Sequence, residues 1–504
     1  MRELLLGIDI GTSGCKLSVF GRSGEVIASE TRSYPVLRAR EGYAEQNPED
    51  WWEAVCAAAG AILAKGVRAE EITAIGVDGQ SWSAIGVDKA GNTLGTTPIW
   101  MDTRSQKECE QLNTILGKEQ IFKTCGNVIQ PMHTMPKILW YKNNEPEKYE
   151  RISTVLQSNS FIVYKLTGAL TQEPSQGYGW SCFDMNSGTW NYDMCRDAGI
   201  RQSILPEIAP CHAIVGRVSR QAAALTGLLA GTPVCAGGLD AACGTLGVGV
   251  IDDGQTQEQG GQAGGMSICL TKAYACPELI LGMHVVPGRW LLQGGTVGGG
   301  GTMKWFEQEF GAEERMRAAE AGTSSFYELD REAGEIAPGS DGLILLPYLS
   351  GERSPIWDVN AKGVFYGIDY AKTRAHFCRA VMEGVAFSLR HNLEVASEAG
   401  AEVKTLYAMG GSANSSLWMQ IKADITGHEI DVPASDTATA LGAAMLAGVG
   451  TGYYPSFAEA VSQTVRVKAK YYPVSERCRT YDRIYAQYLE LYPRLKSLMK
   501  EGSL

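Results

Sequence analysis

Cysteine and histidine never cluster in this chain. None of its 13 Cys stands in a C-x-x-C pair, and its six His are dispersed. A zinc or iron centre needs several such ligands at short spacing, so no protein-built site of that kind is expected. An odd number of scattered Cys, several in apolar segments like that around Cys56, suits reduced thiols and a cytoplasmic setting. No apolar run approaches the roughly 20 residues of a membrane helix. The opening MRELLLGIDIG stops being apolar at Asp9 and reads as a buried strand, not a leader. No membrane partner is expected. A basic surplus is missing too: the formal charge is −11, which argues against nucleic acid as a partner but leaves room for a local anion site. Low-complexity tracts are absent.

Glycine is plentiful, at 59 of 504 residues, and much of it is grouped. Grouped Gly marks places where backbone turns tightly or lets a ligand approach. The length suggests two large domains. The start reads as strand (4–9), Gly turn (11–14), strand (15–20), strand (25–30). In NPEDWWEAVCAAAGAILAKG, Asn47 can cap a helix, Pro48 fits its first position, and Glu49 and Asp50 suit its positive end. Trp51 and Trp52 read as core. Strands are expected over 72–77 and 84–87, the second closed by a turn at 88–91. Residues 255–270 look like a polar Gly turn followed by an apolar strand, and 290–294 precede a Gly run. Helices follow over 373–399 and 413–426, closed by Gly400 and Gly427, and Asp436 or Thr437 can cap a third. The weak echo of strand, Gly turn and strand suggests two comparable α/β halves joined near 245–255.

Three motifs carry chemistry. In Gly7-Ile-Asp9-Ile-Gly11-Thr12-Ser13-Gly14-Cys15-Lys16, backbone N–H groups and hydroxyls can cradle phosphate, Lys16 adds charge, and Asp9 can hold Mg²⁺ through water. The alternative is a hairpin turn that needs Gly. In Gly237-Gly238-Leu239-Asp240-Ala-Ala-Cys-Gly244, Asp240 is either a helix cap or a carboxylate at a strand end beside glycines that admit a substrate. Gly260–Gly265, Gly298–Gly301 and Gly410–Ser415 form a set that a large nucleotide with several backbone contacts would explain. Gln80-Ser81-Trp82 and Trp100-Met-Asp102-Thr-Arg104 mix polar groups with a flat ring, as sugar pockets do; the alternative for each is a surface loop.

Together these segments resemble the FGGY family of carbohydrate kinases over essentially the whole chain. The likeness rests on the order of D-x-G-T-S-G (9–14), E-Q-N-P-E-D-W-W (45–52), G-Q-x-x (79–82), W-x-D-x-R (100–104), M-P-K-I-L-W (135–140) and G-G-x-D-A-A-x-G (237–244). L-P-Y-L-S-G-E-R-S-P (346–355), A-K-G-V-F-Y-G (361–367), R-A-V-M-E-G (379–384) and GGSANSSLWMQIKADITG (410–427) continue it. Two of these, 45–52 and 346–355, are most similar to members that phosphorylate D-xylulose. The resemblance implies two domains of the actin-like ATPase (ribonuclease H-like) fold, about 1–248 and 249–504, with a catalytic cleft between them. Sugar would lie mainly on the first and ATP mainly on the second. It implies Asp240 as catalytic base, Asp9 near Mg²⁺, and Thr12, Ser13 and Lys16 at the phosphates. Gly261, Gln262, Gly300, Gly411 and Ser415 would follow the nucleotide; Gln80, Ser81, Trp82, Asp102 and Asp240 would face the sugar. A homodimer is compatible with the sequence.

Two departures stand out. Gly261-Gln262-Ala263-Gly264 puts an amide where the family's second phosphate turn carries a hydroxyl. Ser81-Trp82 replaces the Met-His of D-xylulose-phosphorylating members, removing a titratable nitrogen. The expected reaction is transfer of phosphate from ATP to a small sugar or polyol, first a pentulose such as D-xylulose, otherwise ribulose, gluconate or erythritol. Asp240, at a helix start, is expected to stay ionised at pH 7 as a weak base, sufficient when the proton leaves late. The rivals are an ATP-driven conformational machine of the same superfold, which needs no sugar pocket, and a sugar sensor without catalysis, which intact Asp9, Lys16 and Asp240 argue against.

Overall fold

The computed structural model describes residues 2–434 and 437–501. Strands β1 (Leu4–Ile10) and β2 (Gly14–Phe20) form the expected hairpin, and β3 (Val26–Ser33) continues it. Helix α1 (Pro48–Ala64) starts as its sequence dictates: the Asn47 side chain accepts from the Glu49 N–H, with Pro48 just inside. Trp51 and Trp52 are buried. Strand β4 (Ile72–Gly79) lies parallel to β1. Helices α2 (Thr134–Asn144) and α3 (Ser158–Thr167) follow. After them come β5 (Ile214–Arg217), β6 (Pro233–Cys235), the short β7 (Gly238–Leu239) and α4 (Asp240–Gly247). The sheet runs β5-β6-β4-β1-β2-β3, with β7 also on β4.

The second sheet repeats this plan. Its strands are β8 (Thr256–Gly260), β9 (Gly264–Leu270), β10 (Ile280–Met283), β11 (Trp290–Thr296), β12 (Thr405–Met409), β13 (Glu429–Pro433) and β14 (Val467–Tyr471). Their order is β10-β11-β9-β8-β12-β13-β14. Without β10, every pairing matches the first sheet: an antiparallel hairpin and third strand, two parallel additions, then an antiparallel edge. This is the two-lobed actin-like α/β fold. Its helices include α5 (Gly300–Phe310), α6 (Ser325–Gly334), α7 (Arg374–Glu398), α8 (Ser416–Thr426) and α9 (Ala438–Gly450). Thr437 occupies the cap position of α9; Asp436 lies outside the described residues.

Residues 256–260, expected within a turn, form strand β8. Thr256, Gln257 and Glu258 are buried because β9 and β12 pair on either side. Sheet pairing there overrides a polar local sequence. Although late in the chain, α9 packs on the first sheet and on α4. A Cβ on Gly7 or Gly76 would run into the carbonyl oxygens of Ala440 and Ala443, so those strand positions admit only Gly at this spacing. No helix among the described residues is long and apolar enough to cross a membrane.

Candidate active site

Strand register assembles an acidic recess in the first lobe. Asp9 stands opposite Lys16 on β2 and opposite Asp78 on β4, and Asp78 stands opposite Gly238 on β7. Asp240 opens α4 two residues later. Strand ends that are far apart in sequence thus present three carboxyls together. Asp78 is fully buried, and neither of its oxygens meets an N–H or hydroxyl donor. Burial pushes its pKa well above the usual carboxylate range, and the charges of Asp9 and Asp240 add to this. Asp9 rises to about 6 through burial, opposed by the Asp78 carboxyl and by Lys16. Asp240 rises to about 7 through burial and the charge of Asp9, opposed by the Ala241 N–H at 2.6 Å. The expectation that Asp240 stays fully ionised at pH 7 is therefore corrected. Its helix start does supply a donor, but burial and a neighbouring carboxyl outweigh it.

The turn at 11–13 is braced from outside. Tyr34 donates to the Gly11 carbonyl at 2.6 Å, and the Trp100 indole to the Thr12 hydroxyl at 2.9 Å. Gln46 donates to the Thr12 carbonyl at 2.8 Å and accepts from Gln80 at 2.7 Å. Ser13 is exposed and Lys16 half-buried.

Gln80 and Trp82 are buried and Ser81 is half-buried. Trp82 holds φ at 58°, a left-handed backbone that costs about 1–2 kcal/mol for a non-Gly residue. Tertiary contacts impose it. The buried Lys137 donates to the Trp82 carbonyl at 2.8 Å and to that of Ile99 at 2.7 Å. The indole packs against His133 and Tyr178 at centroid distances of 4.8 and 5.3 Å. Burial lowers the Lys137 pKa to about 7.

Asp102 does not face an open pocket. It is fully buried, accepting from Ala44 N–H at 2.8 Å and from Arg104 Nε and Nη2 at 2.9 and 2.7 Å. The expected sugar contact is corrected: Arg104, two residues on, folds back and occupies the carboxylate. Sequence reasoning also missed Asp78, His133 and Tyr178. Only Asp78 carried a signal, as an acid directly after the apolar strand Ile72–Val77.

In the second lobe a cavity of about 540 Å³ gathers all five nucleotide candidates, Gly261, Gln262, Gly300, Gly411 and Ser415. Gly300 and Gly301 N–H groups donate to the carbonyls of Gly261 and Gln262 at 2.7 and 3.0 Å, fixing the start of α5 to the turn. Ser415 caps α8 by accepting from Trp418 N–H at 3.0 Å. Behind the wall, buried Lys422 ties Glu258 at 2.6 Å to Ser412 at 3.0 Å. Phe326, Tyr327 and Asp330 of α6 also line the cavity. The sequence reading overlooked them because α6 has no Gly motif.

A duplicated actin-like fold with an acidic recess on one lobe and a nucleotide-sized cavity on the other is the architecture of an ATP-dependent phosphotransferase. The chain belongs to the FGGY family of carbohydrate kinases: the family's N-terminal domain model matches residues 4–247 and its C-terminal domain model residues 272–451. It is 32% identical over 502 residues to the xylulose kinase of Bacillus subtilis (strain 168), covering 98% of each chain. It is 28% identical over 483 residues to the gluconokinase of the same strain, covering 95% of this chain and 94% of that one. The crystal structure of xylulose kinase from Rhodospirillum rubrum superposes with a TM-score of 0.91 at 29% identity, over 99% of this chain and 100% of that one.

Proposed function

We propose that this ATP-dependent carbohydrate kinase phosphorylates D-xylulose at its terminal hydroxyl, giving D-xylulose 5-phosphate. The observation that carries the kinase reading is the recess in which β1, β4 and the end of β7 bring Asp9, Asp78 and Asp240 together. Relatives named xylulose kinase at about 30% identity over nearly the full chain support the sugar. Residues 1–248 supply the sugar-binding domain, onto whose sheet α9 packs from later in the chain, and the rest of 249–504 supplies the nucleotide-binding one.

Phosphoryl transfer depends on positioning and charge neutralisation. Asp240 aligns the sugar hydroxyl and takes its proton; a base with a pKa near the working pH suits that task. Lys16 and the backbone and hydroxyls of Thr12 and Ser13 meet the phosphates. Gly261, Gln262, Gly300, Gly411 and Ser415 hold the nucleotide. Ser81, Trp82 and Gln80 shape the sugar pocket, with Asp102 holding Arg104 behind it.

A hard dication fits the recess at Asp9, since the adjacent Asp78 is buried with no N–H or hydroxyl donor at either oxygen. Among the described residues no group of three or more His, Cys, Asp or Glu is set to hold a metal, so a dication here would need water or phosphate oxygens as further ligands. Asp9 and Asp78 would hold Mg²⁺, which neutralises phosphate charge when bound.

A second reading, another ketose or a sugar acid, is favoured by Trp82 in place of a titratable ring. A coupled assay of ADP release across D-xylulose, D-ribulose, L-ribulose, L-xylulose, D-fructose, gluconate, glycerol and erythritol tests both. D-xylulose is expected to give the highest kcat/KM, and Trp82→Ala is expected to change the order of preference more than the maximum rate. No activity on any ketose would remove the pentulose reading.

A further inference from the structure

Helix α6 presents two different faces. Leu329 and Ala333 are fully buried in the core of the second lobe. Phe326 and Tyr327, by contrast, are 43% and 59% exposed. Asp330 lies four residues after Phe326 and three after Tyr327, so the three side chains share a face. That face lines the 540 Å³ cavity, and Asp330 is the only carboxylate among the lining residues described. It shares this wall with Ser415, the cap of α8, whose hydroxyl favours the charged form of the carboxyl.

This inference rests on the reading that the cavity takes the nucleotide. A carboxylate repels phosphate, so Asp330 must meet an uncharged part of the molecule. Ionised, it can only accept hydrogen bonds. Two exposed rings beside it offer flat apolar surface for a base. We propose that Asp330 reads the 6-amino group of adenine, with Phe326 and Tyr327 packing against the base, and so sets the choice of adenine over a 6-keto purine. Hypoxanthine turns a carbonyl oxygen toward the same carboxylate, leaving two acceptors face to face. The half-buried Asp330 can tell the two purines apart because a mismatch sets two acceptors face to face with no donor between them.

The test compares binding of ADP, IDP and 2′-deoxy-ADP to the full chain by calorimetry. Wild type is expected to prefer ADP over IDP by about tenfold or more, the scale of one hydrogen bond to a charged group, and to bind 2′-deoxy-ADP like ADP. Asp330→Asn can donate as well as accept, so the preference should collapse to within about threefold. Asp330→Ser, also donor and acceptor, provides the same comparison should the first variant fail to fold. A lost structural contact would weaken both nucleotides alike and leave their ratio intact. Equal binding of ADP and IDP by wild type, or a full ADP preference in the variants, overturns the assignment. So does a wild type that discriminates against 2′-deoxy-ADP and a variant that does not, which puts Asp330 on the ribose. Gly411→Leu separates this from the underlying reading. Gly411 lines the cavity, and apart from its chain neighbours a Cβ there meets no protein atom within 4 Å, so leucine takes cavity space without displacing the fold. Wild-type ADP affinity in Gly411→Leu would remove the nucleotide from this cavity altogether.

Discussion

The two hairpins that open the two sheets share strand order and turn length but treat charge in opposite ways. In β1–β2, Asp9 has Asp78 as its neighbour, and the buried Asp78 has no N–H or hydroxyl donor. In β8–β9, buried Glu258 is neutralised by Lys422 at 2.6 Å, 4% of the Glu258 and 1% of the Lys422 side chain being exposed. The first hairpin holds Asp9, whose pKa burial has raised, beside the unpaired Asp78 of β4; the second has its acid paired and presents backbone and an amide to the cavity. Duplicated architecture thus supports two different tasks: one site suited to a cation and a reacting hydroxyl, one suited to holding a nucleotide.

Asp240→Asn is the strongest way to break the comparison on the first side. The change is nearly isosteric, so fold and ADP affinity should persist while sugar-dependent kcat falls by roughly 10²–10⁴, as for a lost general base. A variant keeping a tenth of the rate would remove that role. On the second side, Lys422→Met leaves Glu258 buried without its partner, and stability in urea should drop by about 3–5 kcal/mol. A loss below 1 kcal/mol would mean that the pair is not what neutralises this hairpin.

Lys16→Ala should lower kcat by about 10²–10³, the scale of one lost charge contact to the transferring group. Asp9→Ala should raise the Mg²⁺ concentration needed for half-maximal rate and weaken Mn²⁺ binding seen by electron paramagnetic resonance. Wild-type behaviour of both at limiting metal would reduce the first turn to a plain hairpin. The pH profile gives the smallest but sharpest contrast. A base acts ionised, so with the Asp240 pKa at about 7, kcat/KM should fall as pH drops through that value, tenfold per unit at most. A limb near pH 4 would show an ordinary carboxylate and erase the asymmetry between the lobes.

The sequence alone was enough for whatever depends on neighbours along the chain. Asn47-Pro48 set the start of α1, the Gly-rich turn set β1–β2, and Gly427 closed α8, because capping and turn chemistry act within a few residues. The Gly motifs also marked the turns that line the nucleotide cavity. What tertiary structure decided depends on pairing and burial. Thr256–Gly260 became a strand only because β9 and β12 flank it. Asp78 gained importance only because parallel register places it beside Asp9. Asp102 was withdrawn from the pocket by Arg104, and Trp82 was held at a strained φ by Lys137 from a helix fifty-odd residues away. The proton on Asp240 was decided in the same way: its local position at a helix start favours the charged form, but desolvation by the surrounding fold is the larger force, and no reading of nearby residues contains it.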